Sequence, residues 1–216
     1  MNDVQNIAIG WKMIQTAARR EQLKEALVAA AERAIAQEGV AGVKARPLAD
    51  EVGCAVGAIY NVVSDLDELV LLANARTLAA LDAALAAAIA PDGQGPDWAI
   101  EQLNRLALAY LDFAAAHRRQ WQALFDHRLA AGRNPPDWYQ RDLERLFGLV
   151  ERTIAELQPG GSADRRKLLA RSLFSAAHGV VALGLEEKLQ SIPLPSLREQ
   201  VTTIVTALGY GLAGSN

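Results

Sequence analysis

The sequence predicts an all-α protein, with a three-helix head that carries a helix-turn-helix and a larger helical bundle behind it. Three observations carry this. Apolar residues make up 51% of the 216 residues but aromatics only 6%, with alanine and leucine dominating, and that balance favours helix over strand. Apolar positions recur at three- and four-residue steps through most of the chain. Glycine and proline gather mostly between those stretches rather than within them.

Met1 to Gln15 has no clean periodicity and reads as a short helical arm or a frayed tail. The first clear helix spans about Ala17 to Gln37, with Leu23, Ala26, Leu27, Ala30 and Ala34 on one stripe and Gly39 at its end, where a left-handed conformation is often needed. Two short elements follow, about Ala45 to Val52 and about Val56 to Val62, separated by Gly53. Pro47 suits the first turn of the earlier one. Leu48, Val52, Ile59 and Val63 can face inward together.

Ser64, with Asp67 three residues on, resembles a capping box. It opens a long helix whose apolar positions continue through Leu69, Leu72, Leu78, Leu81 and Leu85 to about Ala90. Pro91 to Pro96 is a loop, and Asp97 is expected to cap a helix from Trp98 to Ala116. Another helix covers about Arg119 to Ala130. After the break at Gly132 to Pro136, Asp137 is expected to cap a helix to Leu157, closed by Pro159-Gly160-Gly161. A helix from Ala163 to about Leu189 and a last one to Leu212, opened by a Ser196 to Glu199 capping box, complete the chain. The expected division is an arm over 1–16, a helix-turn-helix domain over 17–64 and a second domain over 65–216.

The length allows one or two domains with a sizeable core. A net charge of −3 does not by itself announce a nucleic-acid binder. One cysteine, Cys54, excludes an internal disulfide framework and a cysteine-rich zinc site. No signal peptide and no membrane span are expected, so the default location is the cytoplasm. His117, His127 and His178 lack the close spacing of a helical metal site, and no metal or cofactor is expected. No Glu-x-x-His pair, nucleophile elbow or phosphate loop is present, which argues against an enzyme.

A helix-turn-helix needs a support helix, a tight turn and a second helix that enters the major groove. Gly53 supplies the turn, Leu48-Ala49 and Ile59-Tyr60 supply the packing, and the smallness of Ala49 lets the two helices approach. With Gly39, Gly57 and Leu69 around them, these residues resemble the N-terminal domain of the TetR (tetracycline-repressor) family of transcription regulators over about fifty residues. Further on, His178-Gly179, Trp121-x-x-Leu124-Phe125 and Pro136-x-Trp138-Tyr139 resemble the WHG-type C-terminal subtype of that family. The resemblance implies a homodimer built through the last two helices. It implies a pseudo-palindromic operator read by two helices roughly 34–36 Å apart, and a small, largely apolar effector that changes this spacing.

The chain departs from the family pattern where hydroxyl residues are common: Lys44 opens the support helix, Ala55 opens the recognition helix, and Ala58 replaces a further hydroxyl. Val62-Val63 replaces an aromatic pair, and Leu66 stands where a lysine is common. Between Ala17 and Asp67, six basic residues face eight acidic ones, so few phosphate contacts are on offer. Arg19, Arg20, Lys44 and Arg46 are the basic candidates, and Tyr60 and Asn61 the polar ones for phosphate or base edges. Val56 and Ala58 suit thymine methyls, and Ala55 completes the set facing DNA. DNA binding is therefore expected to be weak or salt-sensitive.

Tyr110, Phe113, Trp121, Phe125, Phe147 and Phe174 are candidates to line an effector pocket between the middle helices, with His178 either its polar contact or a buried, hydrogen-bonded core residue. Leu173, Val180, Val181, Leu183 and Leu185, with Val201, Ile204, Val205 and Leu208 and the glycines 179, 184, 209 and 211, exceed one buried stripe. They suit either a four-helix dimer interface or burial within one subunit. The leading expectation is a ligand-responsive repressor. The alternative is a dimer of the same fold that has lost strong DNA binding and holds a ligand or partner.

Overall fold

The computed structural model describes the backbone of residues 2–90, 93–129, 132–189 and 192–214, with side chains from Thr16 onward apart from Lys188. Among the described residues the chain is helical with no strand: α1 (Asn2–Glu38), α2 (Ala45–Val52), α3 (Val56–Ile59), α4 (Leu66–Ala88), α5 (Pro96–Ala116), α6 (Arg118–Asp126), α7 (Asp137–Leu157), α8 (Ala163–Gly184) and α9 (Leu194–Ala213). Short 3-10 turns stand at Val40–Gly42 and Glu187–Leu189.

The expected elements are present, and the differences lie at their ends. The helical backbone of α1 begins at Asn2, well before the apolar stripe that starts near Leu23. Extending a helix costs little once it is nucleated, and Ala17-Ala18-Arg19-Arg20 are good helix formers. The recognition helix α3 is a single turn, shorter than the expected span to Val62. The N–H groups of Asn61 and Val62 donate three residues back, to the Ala58 and Ile59 carbonyls at 3.2 and 3.0 Å, so the chain tightens instead of continuing the α-helix. α6 ends at Asp126, short of the expected Ala130: residues 127–129 are not helical, and Ala130 itself, like the loop residues Pro91 and Asp92, lies outside the described residues. α8 ends at Gly184 instead of continuing to Leu189, and a separate 3-10 turn covers Glu187–Leu189.

Several expected caps move by a residue or more. At α4 the capping side chain is Asp65, not Ser64: the Glu68 N–H donates to Asp65 Oδ1 at 2.8 Å, and Glu68 reaches back to accept from the Ser64 N–H at 2.6 Å. The pair resembles a capping box shifted by one residue from the expected one, except that the returning bond reaches the N–H before the cap instead of that of the cap itself. At α5 the cap position is Gly95 at φ 87°, and Asp97 lies in the first turn. Pro136 and Pro193 hold the corresponding positions before α7 and α9, so Asp137 and Ser196 lie inside their helices. Both prolines have an extended ψ (153° and 134°) and no side-chain acceptor, so neither helix has a side-chain cap. Ser162 does cap α8, accepting from the Arg165 N–H at 3.3 Å.

The chain groups into two compact units. The first comprises Met1–Thr77 and Arg119–Asn134. Its core joins Leu27, Ala31 and Ile35 of α1, Leu48 and Ala49 of α2, Ile59 of α3, and Leu69, Val70 and Ala73 of α4. Ala123 of α6, from far along the chain, completes it. Asn74 Nδ2 donates to the Ala123 carbonyl at 3.1 Å, which ties α6 to α4. Gly42 is required by close packing, since a Cβ there would lie 2.8 Å from the Ala34 carbonyl oxygen. Arg76 of α4 joins Glu25 and Glu32 of α1 in a three-residue ion cluster.

The second unit comprises Leu78–Arg118 and Pro135–Asn216, with α5 packed on α9 and α7 on α8. Leu173, Val181, Val201 and Val205 are buried within the chain. Gly184 packs on Leu197 and Gly209 on Ile100, both too closely for a Cβ. These members of the set weighed for a dimer interface are accounted for by packing within the subunit. Leu183 and Leu208 remain exposed, joined by Leu168 and Tyr210.

α4 is the described helix long and apolar enough, by length and composition, to cross a bilayer. It carries Asn74, Arg76 and Asp82 near its middle, and Leu69, Val70, Leu78, Leu81 and Leu85 are buried by protein.

Candidate functional site

The turn between α2 and α3 is built by one backbone torsion. Gly53 adopts φ 75° and ψ 39°, the left-handed conformation that closes α2, and the Cys54 N–H then donates to the Ala49 carbonyl at 2.9 Å. A Cβ on Gly53 would meet nothing within 4 Å, so glycine is needed there for its torsion and not for space. Leu48, Ala49 and Ile59, each 1% exposed or less, lock α2 against α3. Lys44 and Ala55 occupy the two cap positions in extended conformation, and neither side chain caps.

With Ile59 buried, α3 turns Ala55, Val56, Gly57 and Tyr60 outward, and Asn61 is exposed beside them. Ala58 is only half-exposed. The basic candidates divide. Lys44 Nζ lies 3.9 Å from Glu38 Oε2, whereas Arg19, Arg20 and Arg46 are exposed with no ion pair among the described residues. Arg33, which sequence reasoning did not single out, is held by Glu51 at 2.6 Å.

Where the head meets α4, a charged cluster forms within the first unit. Arg133 Nη1 lies 2.7 Å from Asp65 Oδ2 and 3.5 Å from Asp67 Oδ2, and His127 Nε2 lies 3.7 Å from Asp67 Oδ1. The Glu68 N–H holds the Asp65 carboxyl below its usual value; burial opposes it, and the Arg133 guanidinium adds to the lowering. Burial pushes the Glu68 carboxyl up, but the Ser64 N–H and Lys24 outweigh it and leave it lowered.

The second unit brings together four of the seven effector-site candidates. Tyr110 of α5, Phe147 of α7, and Phe174 and His178 of α8 form a contiguous aromatic cluster. Phe174 packs edge-on to Tyr110 at 5.5 Å and to Phe147 at 5.3 Å, and stacks on His178 at 5.5 Å. The Tyr110 hydroxyl and His178 Nδ1 are 2.7 Å apart, and burial lowers the His178 pKa. Arg171, absent from the sequence-based set, holds its guanidinium 6.0 Å from the centre of the Phe147 ring. Its spacing to Phe174 and His178 (i, i+3, i+7 on one helix) was the available signal. Of the other three candidates, Phe113 pairs with His117 at 4.7 Å, and Trp121 pairs with Phe125 at 5.6 Å inside the first unit. Among the described residues no three His, Cys, Asp or Glu side chains gather to hold a metal ion.

Residues 103–208 match the family described as Tetracyclin repressor-like, C-terminal domain. No curated protein matches the chain in sequence. Solved structures do. A protein of unknown function from Rhodococcus sp. RHA1 superposes with a TM-score of 0.70 at 26% identity, covering 88% of this chain and 95% of that one. A tetR-family transcriptional regulator from Streptomyces coelicolor gives a TM-score of 0.65 at 21% identity, covering 91% and 84%. A TetR variant from Acinetobacter baumannii AYE in complex with minocycline gives 0.59 at 16% identity, covering 86% and 93%.

Proposed function

Because the chain belongs to the TetR family of transcription regulators, we propose that it is a one-component repressor that binds operator DNA as a homodimer and responds to a small, largely apolar effector. In this proposal residues 17–64 read DNA, residues 65–216 bind the effector and dimerise, and the protein works in the cytoplasm. The observation that carries it is the α2–Gly53–α3 geometry, which leaves Ala55, Val56, Gly57, Tyr60 and Asn61 open to solvent. Arg19, Arg20 and Arg46 are exposed and available for phosphate contacts. The Tyr110–Phe147–Phe174–His178 cluster supports an apolar or aromatic effector. Exposed Leu183, Leu208 and Tyr210 support pairing through α8 and α9.

Fluorescence polarisation with duplexes from the DNA flanking the gene tests the proposal. The wild-type protein is expected to bind one of them, and Arg46→Ala to bind more weakly, with a salt slope smaller by about one.

A second reading, a dimer of this fold with little affinity for DNA, is favoured by a specific observation. Lys44 and Arg33 are tied to Glu38 and Glu51, and α3 is one uncapped turn. A folded dimer that binds no flanking DNA at low salt would decide for it.

A further inference from the structure

On the reading that α3 enters the major groove, we infer that the chain recognises thymine through its 5-methyl group. Val56 is seated on the methyl, and Gly57 carries no side chain so that the α3 backbone can come down onto the base edges. Val56 and Gly57 stand out for different physical reasons.

Val56 is a large apolar side chain left 38% exposed, between exposed Ala55 and exposed Gly57. From Ala55 to Ile59 the chain is Ala-Val-Gly-Ala-Ile, with no side-chain donor or acceptor before Tyr60. The side chains of the first turn therefore cannot use the hydrogen-bonding code of the major groove. What remains for it to read is the one apolar group that a base presents there, the thymine methyl. The donors and acceptors of the interface are left to Tyr60, 50% exposed, and to Asn61 at its C-terminal edge.

Gly57 needs neither an unusual torsion nor room within the protein. Its φ is not positive, and a Cβ built on it would meet nothing within 4 Å. Glycine weakens a helix relative to alanine, and α3 has only four residues and no side-chain cap to offset that. A glycine that the fold does not require, on the outward face of a marginal element, suits close approach of the backbone to a bound partner. Gly53 is the contrasting case, since its left-handed torsion explains it completely.

The test uses the full chain. Duplexes are selected from a random library, and the enriched site is resynthesised with deoxyuridine for the thymines of each half-site. The wild-type protein is expected to lose roughly fourfold in affinity for each contacted methyl removed, and Val56→Ala to bind both duplexes alike. Gly57→Ala is expected to melt no lower than wild type by circular dichroism yet to bind at least tenfold more weakly. Equal wild-type affinity for the thymine and deoxyuridine duplexes, or full binding by Gly57→Ala, would overturn the inference while leaving operator binding intact. Failure of the folded protein to enrich any duplex would instead sink operator binding itself, and this inference with it.

Discussion

The Tyr110 hydroxyl on α5 and His178 Nδ1 on α8 stand 2.7 Å apart, which makes this pair a polar contact inside an otherwise apolar cluster. Two readings of His178 were open from the sequence, a buried hydrogen-bonded core residue and a polar contact for an effector. The geometry meets the first description and is compatible with the second, because Phe147 and Phe174 beside it are only half-buried.

Tyr110→Phe keeps the ring and removes the bond. It is expected to destabilise the chain by about 1 kcal/mol, measured by urea unfolding at pH 8. Burial lowers the His178 pKa from 6.5, so the folded chain keeps the imidazole neutral to a lower pH than the unfolded chain does. The contribution of His178 to stability is complete above 6.5 and falls as pH drops towards its folded value. Urea midpoints between pH 8 and pH 5 should therefore decline in wild type, and His178→Phe should flatten that decline. A decline of equal depth in the variant would assign the pH dependence elsewhere.

The α4 cap has an acid dependence of the same sign. The Asp65 and Glu68 carboxyls are both lowered in the folded chain, so their stabilisation is present above their usual values of 3.8 and 4.5 and is lost as pH falls through the folded ones. Asp65→Ala is expected to cost about 0.5–2 kcal/mol at neutral pH. That difference should shrink as pH falls through the folded-state value of Asp65, which lies below 3.8.

Gly53→Ala forces a Cβ into a left-handed turn, with φ 75°, where there is space but no conformational ease. A loss of about 1–2 kcal/mol is expected. Gly53→Asn should lose less, since asparagine tolerates that region better. Equal losses for the two variants would show that crowding, not torsion, requires glycine here.

Ala55→Ser tests the missing cap of α3. Ala55 has the extended torsions of a cap residue, φ −70° and ψ 143°, and a serine there can accept from the N–H of Gly57 or Ala58. A gain of about 0.5–2 kcal/mol is expected in thermal or urea unfolding. No gain would indicate that the geometry of the turn, and not the residue, prevents capping.

Leu183→Glu together with Leu208→Glu places charge on the exposed apolar positions of α8 and α9. Light scattering is expected to show a monomer in place of a dimer, with the helical signal retained. A dimer that survives both changes would put the interface elsewhere.

Much of this was legible in the sequence, because the signals were local. Periodicity found every long helix. The left-handed turn at Gly53 and the inward set of Leu48, Val52, Ile59 and Val63 followed from spacing alone, with Val52 only partly buried against the core. Cap positions were less legible: Asp65 and Ser64 are both good acceptors one residue apart, and the reach of Glu68 to the Ser64 N–H selects between their registers. The aromatic set was only partly legible. Six aromatics at helical spacing look alike along a chain, yet Trp121 and Phe125 fold into the unit that holds the helix-turn-helix, and Phe113 pairs with His117.

The sequence by itself determined the all-helical class, the turn at Gly53 and the apolar, uncapped character of α3, since these depend on torsional preference and on residues a few positions apart. Tertiary structure alone decided that Ala123 completes the core of the first unit, that Gly184 and Gly209 serve packing within the chain, and that Arg171 stands over Phe147. Each of these joins residues tens of positions apart or sets how closely two helices approach. Such contacts are selected by shape and burial once the helices have docked, and a local pattern carries no record of them.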